Sequence, residues 1–520
     1  MRGKKASALP GAPCLNSACR TRLSDFLRLS AIGFRLFPLV TLLLAGCAVG
    51  PDYHRPPALG TNALPQAFSG TIPTNAAIWK PAEPSAHLPR GPWWEVFGDT
   101  ELNHLETRAT TNNQQLAAAF ANLQQARALI GVARADFFPQ ISAPLSATRQ
   151  RISDNQSSGA GSSSRGSTFN TFSVPVDASW ELDLWGRVRR TVESARANFT
   201  ASADDLESLK LLTQAEVAID YITLSSLDAQ DRVLDETTVA YRRSLELTQN
   251  RRKSGIATDL DVSQAETQLA SAEAQIPAVQ LLRAQALHAL ATLCGQPAMS
   301  FTVNVPTNVP LAAPGIPLGI PSELLERRPD IAAAERRVAA ANAGIGVATA
   351  AFYPIVMING AAGYQSIDTS TLFDWPSRVW SIGPSLTLPL FTGGRNRAQL
   401  AAARANYDAT VANYRQTVLS AFQDVEDQLA AQQLLAQQTE KVMHAVRSAR
   451  RTVDISMTKY KGGVITYLDV VVAQSAALSL EQTAVQLNSQ RLAANVSLIK
   501  ALGAGWTADG DQMATAQPHK

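Results

Sequence analysis

The stretch GIATDLDV at residues 255–262 returns as GVITYLDV at residues 463–470, and the offset between the two is 208 residues. The same offset places Gly186 on Gly394, far upstream of either stretch. A constant offset over such a length of chain indicates internal duplication. We therefore predict that the fold is built twice from the same elements.

Further upstream the two copies stay in register after one change of length. The triplet FFP at 137–139 corresponds to FYP at 352–354, at an offset of 215 residues. The extra residues of the first copy fall in the Ser/Gly-rich stretch 154–168. Such a composition is typical of a loop. A longer loop in the first copy accounts for the changed offset, so the duplication extends through both copies.

Each copy is predicted to contain a helix, a β-hairpin, a very long helix and a last helix, in that order. The predicted ranges are about 100–136, 139–185, 187–253 and 258–294 in the first copy, and about 322–351, 354–392, 395–461 and 466–502 in the second. The predicted domains are a signal peptide at 1–46, a lipidated extended segment at 47–98, a first repeat at 99–294, a Pro-rich linker at 295–321, a second repeat at 322–503 and a C-terminal tail at 504–520. The aromatic patch at 93–97 is expected to dock on the body.

The second strand of each hairpin alternates between apolar and polar residues. The apolar positions run from Phe172 to Leu184 in the first copy and from Trp380 to Leu390 in the second. This period of two fits a transmembrane strand between lipid and a lumen, and it fits equally a half-buried soluble hairpin. Two hairpins supply only four strands, and hydrocarbon does not tolerate an open strand edge. If the strands enter a membrane, three chains sharing one barrel would supply twelve.

The two long helices lack internal proline and carry only a thin apolar stripe. A helix of about 67 residues is roughly 100 Å long, far beyond a globular helix. The thin stripe favours coiled-coil-like packing with much of the surface in water. A hollow helical tube would need this composition, and a solid bundle would show the same periodicity.

Residues 36–47 join an apolar run to a cysteine. The run follows a basic region, is too short to span a bilayer and has the length of a signal-peptide core. The sequence LAGC at 44–47 resembles a bacterial lipobox, which predicts acylation of Cys47. Ala48 after the cysteine then favours delivery to the outer membrane. The open alternative is ordinary secretory cleavage beside an incidental cysteine.

Composition and motifs exclude several classes of protein. The first 46 residues carry a net charge of +6 within the total of +3, so the remaining −3 gives no general affinity for nucleic acid. Beyond Cys47 only Cys294 remains, which we expect to be a buried thiol, and no Cys/His spacing fits structural zinc. Because no HExxH or GxSxG motif occurs, we expect neither an enzyme nor a cofactor, apart from the covalent lipid on Cys47.

The turn between the long helix and the last helix is the most informative short motif in each copy. Basic residues close the long helix, glycine follows, and threonine with aspartate three positions later begins the next helix. This order predicts a glycine C-cap and then a capping box, in which Thr258 pairs with Asp261 and Thr466 with Asp469.

Together these residues resemble the outer-membrane factors of bacterial tripartite efflux pumps, TolC-like proteins of the NodT lipoprotein branch. The resemblance covers nearly all of the mature chain. It rests on CAVGPDY at 47–53, WWEVF at 93–97, ERRPDI at 326–331, AFYP at 351–354, FTGGR at 391–395 and the two Gly-turn-Asp tips. It implies a mainly α-helical chain with a transmembrane β-barrel. Three copies would build a 12-stranded β-barrel, four strands per chain, with an equatorial region and a long periplasmic α-helical barrel.

The resemblance also implies partners and a gate. Members of the family pass small molecules from a periplasmic adaptor and an inner-membrane RND-type pump across the outer membrane. Their aperture closes at the helix tips through acidic rings and hydrogen bonds between tyrosine and basic residues. Val472 stands where relatives can carry a second acid, which adds Asp259 as a candidate. The implied gating residues are Asp259, Asp261, Tyr460 and Asp469, and the implied adaptor-docking tips are marked by Gly255, Gly462 and Gly463.

Two other functions stay open at the level of sequence. A type I secretion channel would need the same fold and would differ in its partner. A lipid-anchored coiled-coil scaffold without a pore would keep its hairpins out of lipid.

Overall fold

The computed structural model describes residues 48–59, 91–153, 168–305 and 327–504. The predicted signal peptide, Cys47, most of the predicted linker and the predicted tail lie outside the described residues. The described helices are α1 (Thr100–Asn112), α2 (Gln114–Ala135), α3 (Arg187–Lys253), α4 (Asp259–Glu273), α5 (Gln275–Leu293), α6 (Pro329–Ala350), α7 (Arg395–Lys461) and α8 (Tyr467–Ala501). The described strands are β1 (Gln140–Ser142), β2 (Ser146–Arg151), β3 (Thr168–Leu182), β4 (Ile355–Ser366) and β5 (Arg378–Thr387).

The two long helices are confirmed. Helices α3 and α7 each contain 67 residues, at the predicted bounds. Gly186 and Gly394, with φ angles of 80° and 86°, turn the chain immediately before each helix. Asp183 caps α3, since its carboxylate accepts the backbone N–H groups of Val188 and Arg189 at 3.0 and 2.9 Å. Of the helices in the described residues, none has the length and hydrophobicity needed to cross a membrane.

The predicted first helix at 100–136 is two helices, α1 and α2, which meet at Asn113. This residue takes an extended conformation, and its side-chain oxygen accepts the N–H groups of Gln115 and Leu116 at 2.8 and 3.0 Å. Its amide nitrogen donates to the carbonyl of Leu293 at 2.9 Å. The break is therefore held by a local N-cap at Asn113 and by a contact with Leu293, which is far away in sequence.

Two further predicted elements are interrupted. The helix predicted at 258–294 breaks at Ala274 into α4 and α5, three residues before Pro277, which has no N–H to donate. The outer strand of the first hairpin is split into β1 and β2 by a segment that contains Pro144. Both pieces pair with β3, so they act as one strand of the sheet.

The strands form one antiparallel sheet in the order β1/β2, β3, β4, β5. Pairing between β3 and β4 joins the two repeats over eleven residue pairs, from Phe172–Ser366 to Leu182–Val356. Pairing between β4 and β5 runs from Ile355–Thr387 to Tyr364–Arg378. The four-stranded arrangement predicted from the two hairpins is confirmed, with one strand in two pieces.

The chain forms two compact units. Among the described residues, the first unit contains the sheet within Ala133–Val192 and Ala343–Ala401, together with residues 48–51. The second contains the described residues within Asp52–Val132 and Glu193–Asn342, and residues 402–504. The duplicated order of elements is thus folded so that each repeat contributes to both units.

The second unit is held together by an apolar cluster around α1 and the middle of α3. Trp93 and Phe97 are buried in it against Leu102, Leu105 and Tyr221, which confirms that the aromatic patch docks on the body. Cys294 is fully buried in the same cluster, as expected of a structural thiol, and burial raises its pKa to about 11. Tyr221 donates to Asp99 at 2.8 Å, and Asp99 also caps α1.

Glu106 is a buried acid in this unit without a hydrogen-bond partner. Its side chain is 0% exposed, and neither carboxylate oxygen accepts a hydrogen bond from a described residue. Desolvation raises the pKa of this carboxyl well above its ordinary value. The folded state therefore favours the protonated acid.

We expect Glu106→Gln to stabilise the protein increasingly as the pH rises. The pKa of Glu106 is higher in the folded state than in the unfolded state. The free energy of unfolding is therefore highest below about pH 4.3, where Glu106 is protonated in both states, and it falls as the pH rises towards the raised pKa. The loss amounts to about 1.4 kcal/mol per pH unit between the two pKa values. Melting temperatures of wild type and variant at pH 5 and pH 8 measure it, with exposed Glu246→Gln as the control. An advantage of Glu106→Gln that is the same at both pH values would contradict the burial argument.

Candidate gating and docking site at the helix tips

Each long helix ends in a tight glycine turn. Gly255 follows α3 with a φ of 74°, and Gly463 follows α7 with a φ of 72°. After each glycine the backbone reaches back into the last helical turn: Ile256 N–H donates to the carbonyl of Arg251 at 2.9 Å, and Val464 N–H to that of Lys459 at 3.0 Å. These bonds confirm the predicted C-caps. Gly462, before the second turn, has an ordinary φ.

The helices that follow begin with the predicted capping boxes. The carboxylate of Asp261 accepts both the N–H and the hydroxyl of Thr258 at 2.9 Å. Asp469 accepts the N–H and the hydroxyl of Thr466 at 3.1 and 2.8 Å. Both acids therefore hold their own turn, and each adds negative charge to a helix N-terminus, where it is stabilising.

Arg251 and Arg252 give the first tip two different cationic contacts. Arg252 forms an ion pair with Asp259, whose side chain is 79% exposed. Arg251 donates from Nη1 to the carbonyl of Lys461 at 2.8 Å, and its guanidinium lies over the ring of Tyr460 at 4.9 Å from the centroid. Arg251 thus joins the end of α3 to the end of α7 within one chain.

Tyr460 is buried in an apolar cluster at the tip. It is 4% exposed and meets Tyr467 edge to face, with ring centroids 5.2 Å apart, in a cluster that includes Ala265 and Val470. The buried Tyr460 hydroxyl has no hydrogen-bond partner among the described residues. Burial and the nearby Tyr460 raise the pKa of Tyr467 to about 12. Within the chain, Tyr460 is held by aromatic packing and by a cation–π contact with Arg251, and not by the expected hydrogen bond between its hydroxyl and a basic residue.

The structure also shows an apolar surface that the sequence analysis did not identify. Five large apolar side chains at the two tips are exposed, and we call them the tip apolar surface: Ile256 (65%), Leu260 (66%), Val464 (73%), Leu468 (53%) and Val472 (61%). Two pairs among them, Ile256 with Val464 and Leu260 with Leu468, are related by the offset of 208 residues. The repeat offset could therefore have identified these four residues from the sequence.

The predicted site residues therefore fall into two groups. Asp261 and Asp469 brace their own turns, and Asp259 pairs with Arg252 at the rim of the first tip. Tyr460 lies inside the tip beneath Arg251. Within the part of the chain that the structure describes, no group of His, Cys, Asp and Glu could hold a metal ion.

Comparison with known proteins agrees with this architecture. The sequence profile of the outer membrane efflux protein family matches twice, at residues 105–296 and 320–504. The chain is 33% identical to outer membrane protein OprJ of Pseudomonas aeruginosa over 469 residues, which cover 90% of this chain and 95% of the relative. It is 33% identical over 494 residues to a probable efflux pump outer membrane protein, TtgC of Pseudomonas putida, covering 93% of this chain and 98% of that one.

The fold agrees as well. The solved outer-membrane channel OprN superposes with a TM-score of 0.78 at 31% identity, covering 88% of this chain and 99% of that structure. The fold is that of TolC-like outer membrane channels. From the duplicated elements, the single four-stranded sheet and these matches, the chain belongs to the outer membrane efflux protein family.

Proposed function

We propose that the protein is the outer-membrane channel of a tripartite efflux system, a trimeric passive conduit for small molecules. One observation carries the proposal: a four-stranded sheet of transmembrane length whose outer strands, β1/β2 and β5, have no second partner among the described residues. In hydrocarbon such edges must be paired. If β5 of one chain pairs with β1/β2 of the next, the backbone groups at both open edges of the sheet are hydrogen-bonded.

The number of chains follows from the size of the barrel. Two copies would give eight strands, and the interior of a barrel of that size is filled by side chains. Three copies give twelve, an even number with room for a lumen. The polar face of the sheet suits that lumen, since Asn359 donates to the hydroxyl of Ser385 at 2.9 Å across β4 and β5.

The lipid anchor is proposed at Cys47. The residues after Cys47 lie at the junction between β3 and α3: Val49 N–H donates to the carbonyl of Trp185 at 3.0 Å. Ala48 packs directly on Gly186. A lipid attached one residue earlier would therefore enter the leaflet beside the periplasmic end of the barrel.

The partners are a periplasmic adaptor and an inner-membrane pump of the RND type. The tip apolar surface supports this proposal, because several large apolar side chains are exposed near the adjoining ends of α3 and α7, and exposed apolar groups of this kind favour an interaction site. The conduit catalyses no reaction and needs no cofactor beyond the lipid on Cys47. Opening and closing are assigned to Asp259, Asp261, Tyr460 and Asp469, and docking to the tips around Gly255, Gly462 and Gly463.

We expect a Leu260→Asp/Leu468→Asp variant to assemble normally and to lose efflux. Two charges in the centre of the docking surface should weaken adaptor binding by about thirtyfold or more, the effect of a lost hot spot. Dye accumulation in the native bacterium lacking its own copy measures efflux, and the yield of trimer from the membrane measures assembly. The matched control is Leu260→Met/Leu468→Met, which keeps an apolar surface. Full efflux by the aspartate variant would contradict docking at the tips.

The proposed function is tested by deleting the gene and restoring it. The deletion strain should accumulate dyes and small toxic compounds and should regain export with the wild-type gene. Loss of a secreted protein with unchanged dye export would favour the type I secretion alternative. If the deletion changes neither dye export nor protein secretion, the lipid-anchored scaffold becomes the favoured function.

A further inference from the structure

The last helix differs between the two copies at one point. In the first copy it is interrupted at Ala274, between α4 and α5, and Pro277 follows three residues later. In the second copy Val485 stands at the position of Pro277, at the offset of 208 residues, and α8 runs unbroken from Tyr467 to Ala501. A proline inside a helix removes a backbone hydrogen bond and crowds the carbonyl four residues earlier, which favours bending. The first copy therefore has a point of bending that the second copy lacks.

On the tip side of this break, α4 is tied to the end of α3. Arg242 of α3 donates from Nη2 to a carboxylate oxygen of Glu273 at 2.8 Å, directly before the break. At the other end of α4, Asp259 pairs with Arg252. Helix α3 contains no proline and is mostly exposed beyond Arg242, so it can follow α4 by smooth curvature. Residues 242–273 therefore form one bonded unit, which we call the first tip block.

A glutamine side chain bridges the break. The amide nitrogen of Gln275, the first residue of α5, donates to the carbonyl of Ser271 in α4 at 3.3 Å. The amide oxygen of Gln275 accepts a hydrogen bond from Nε2 of Gln482 in α8 at 2.9 Å. Side-chain bonds of this kind exchange with water at little net cost, whereas the backbone bonds of an unbroken helix resist bending. The break is therefore attached to α8 at Gln275, and the helix can bend on its tip side.

A second polar contact between the copies lies within the first tip block. Nε2 of Gln268 in α4 donates to the hydroxyl of Ser475 in α8 at 3.0 Å. Gln268 precedes Gln275 by seven residues, and Ser475 precedes Gln482 by seven. Helices α4 and α8 therefore run side by side in the same direction, with about two turns of helix between the two contacts. The contact of Gln268 with Ser475 is exposed, so water can replace it.

We infer that the break at Ala274–Pro277 is a hinge, about which the first tip block swings away from α8 when the channel opens. The inference rests on the proposed function of the protein as a gated channel. Opening breaks the contact of Gln268 with Ser475 and keeps that of Gln275 with Gln482. Helix α4 is about 22 Å long, so a change of about 20° in the bend moves its tip by about 8 Å. The unbroken α8 is the support against which the block moves.

Pro277→Val tests the hinge, because it gives the first copy the residue of the second. We expect the open probability in planar bilayers to fall about tenfold or more, since a restored backbone hydrogen bond resists bending. The parent for this comparison is Asp261→Ala/Asp469→Ala, which is expected to open more often than wild type. Ala278→Val is the matched control, since it adds the same side chain beside an intact proline, and both positions are exposed. An open probability equal to that of the parent would overturn the inference.

Reversible cross-links locate the pivot without any change at the proline. One variant is Gln268→Cys/Ser475→Cys, within the first tip block, and the other is Gln275→Cys/Gln482→Cys, at the hinge. A short bis-methanethiosulfonate reagent joins each cysteine pair, and the native Cys294 is fully buried. The first cross-link should lower conductance about tenfold or more, and a reductant should restore it. The second cross-link should leave conductance unchanged.

The two cross-links together decide the position of the pivot. If both close the channel, the pivot lies further from the tip, and if neither does, the first tip block does not move away from α8. Either result would overturn the inference. Wild-type protein that never conducts would instead contradict the proposed function, so the two failures are distinguishable.

Discussion

Alanine at both Asp261 and Asp469 is expected to raise the time-averaged conductance of the channel by about threefold to tenfold. Each carboxylate accepts two hydrogen bonds from the threonine that begins its helix. Losing such a cap costs about 1 kcal/mol per helix, and the proposed trimer has six of them. The turns then hold their positions less well, and a closed aperture depends on those positions. Single-channel recording in planar bilayers measures the change.

Asparagine at the same two positions separates the cap from the charge. Its side-chain oxygen can still accept hydrogen bonds from Thr258 and Thr466, so the turns stay braced while the charge is gone. We expect Asp261→Asn/Asp469→Asn to lose cation preference, because rings of acids attract cations, with a smaller gain in conductance than the alanine variant shows. Conductance unchanged in both variants would remove these residues from the gate.

Gly363→Ala is expected to abolish the stable channel. Gly363 pairs with Pro175 in the centre of the sheet, and an added Cβ would lie 2.2 Å from the carbonyl oxygen of Val174 and 2.5 Å from Cα of Pro175. Both neighbours are backbone atoms of β3 and cannot move without breaking the ladder. Overpacking of this kind costs about 3 kcal/mol or more per chain. The yield of heat-resistant trimer from outer membranes measures the loss.

Gly383 provides the matched control on the neighbouring strand. At Gly383 an added Cβ meets nothing within 4 Å, and its φ is ordinary. Gly383→Ala should therefore yield as much trimer as wild type. Equal yields from Gly363→Ala and Gly383→Ala would show that the β3–β4 pairing is not as close as the structure has it.

The long helices could be predicted to the residue because their limits are local. Gly186 and Gly394 precede them, the glycine turns at Gly255 and Gly463 end them, and no proline interrupts them. Strand number followed from the alternation in each hairpin. The break at Asn113 has a local part, because the side chain of Asn113 caps α2. We did not predict this cap from the sequence, since asparagine also occurs inside helices. The second contact, from the amide of Asn113 to the carbonyl of Leu293, joins residues distant in sequence and has no local signal.

The candidate site was predictable in part, for the same reason. The capping boxes at Asp261 and Asp469 depend on residues three positions away, and the sequence shows them directly. The burial of Tyr460 beneath Arg251 depends on two helices whose ends are far apart along the chain. The exposure of the tip apolar surface is likewise a tertiary property, since the local sequence around Leu260 and Leu468 does not show whether these side chains pack inside or face solvent.

In the proposed channel, three chains share one conducting barrel. We would measure single-channel conductance in a planar bilayer on protein of known mass that was extracted in mild detergent. We expect a trimer with discrete ion-conducting steps, larger on average for Asp261→Ala/Asp469→Ala than for wild type. A monomer or dimer that conducts in neither form would contradict this proposal.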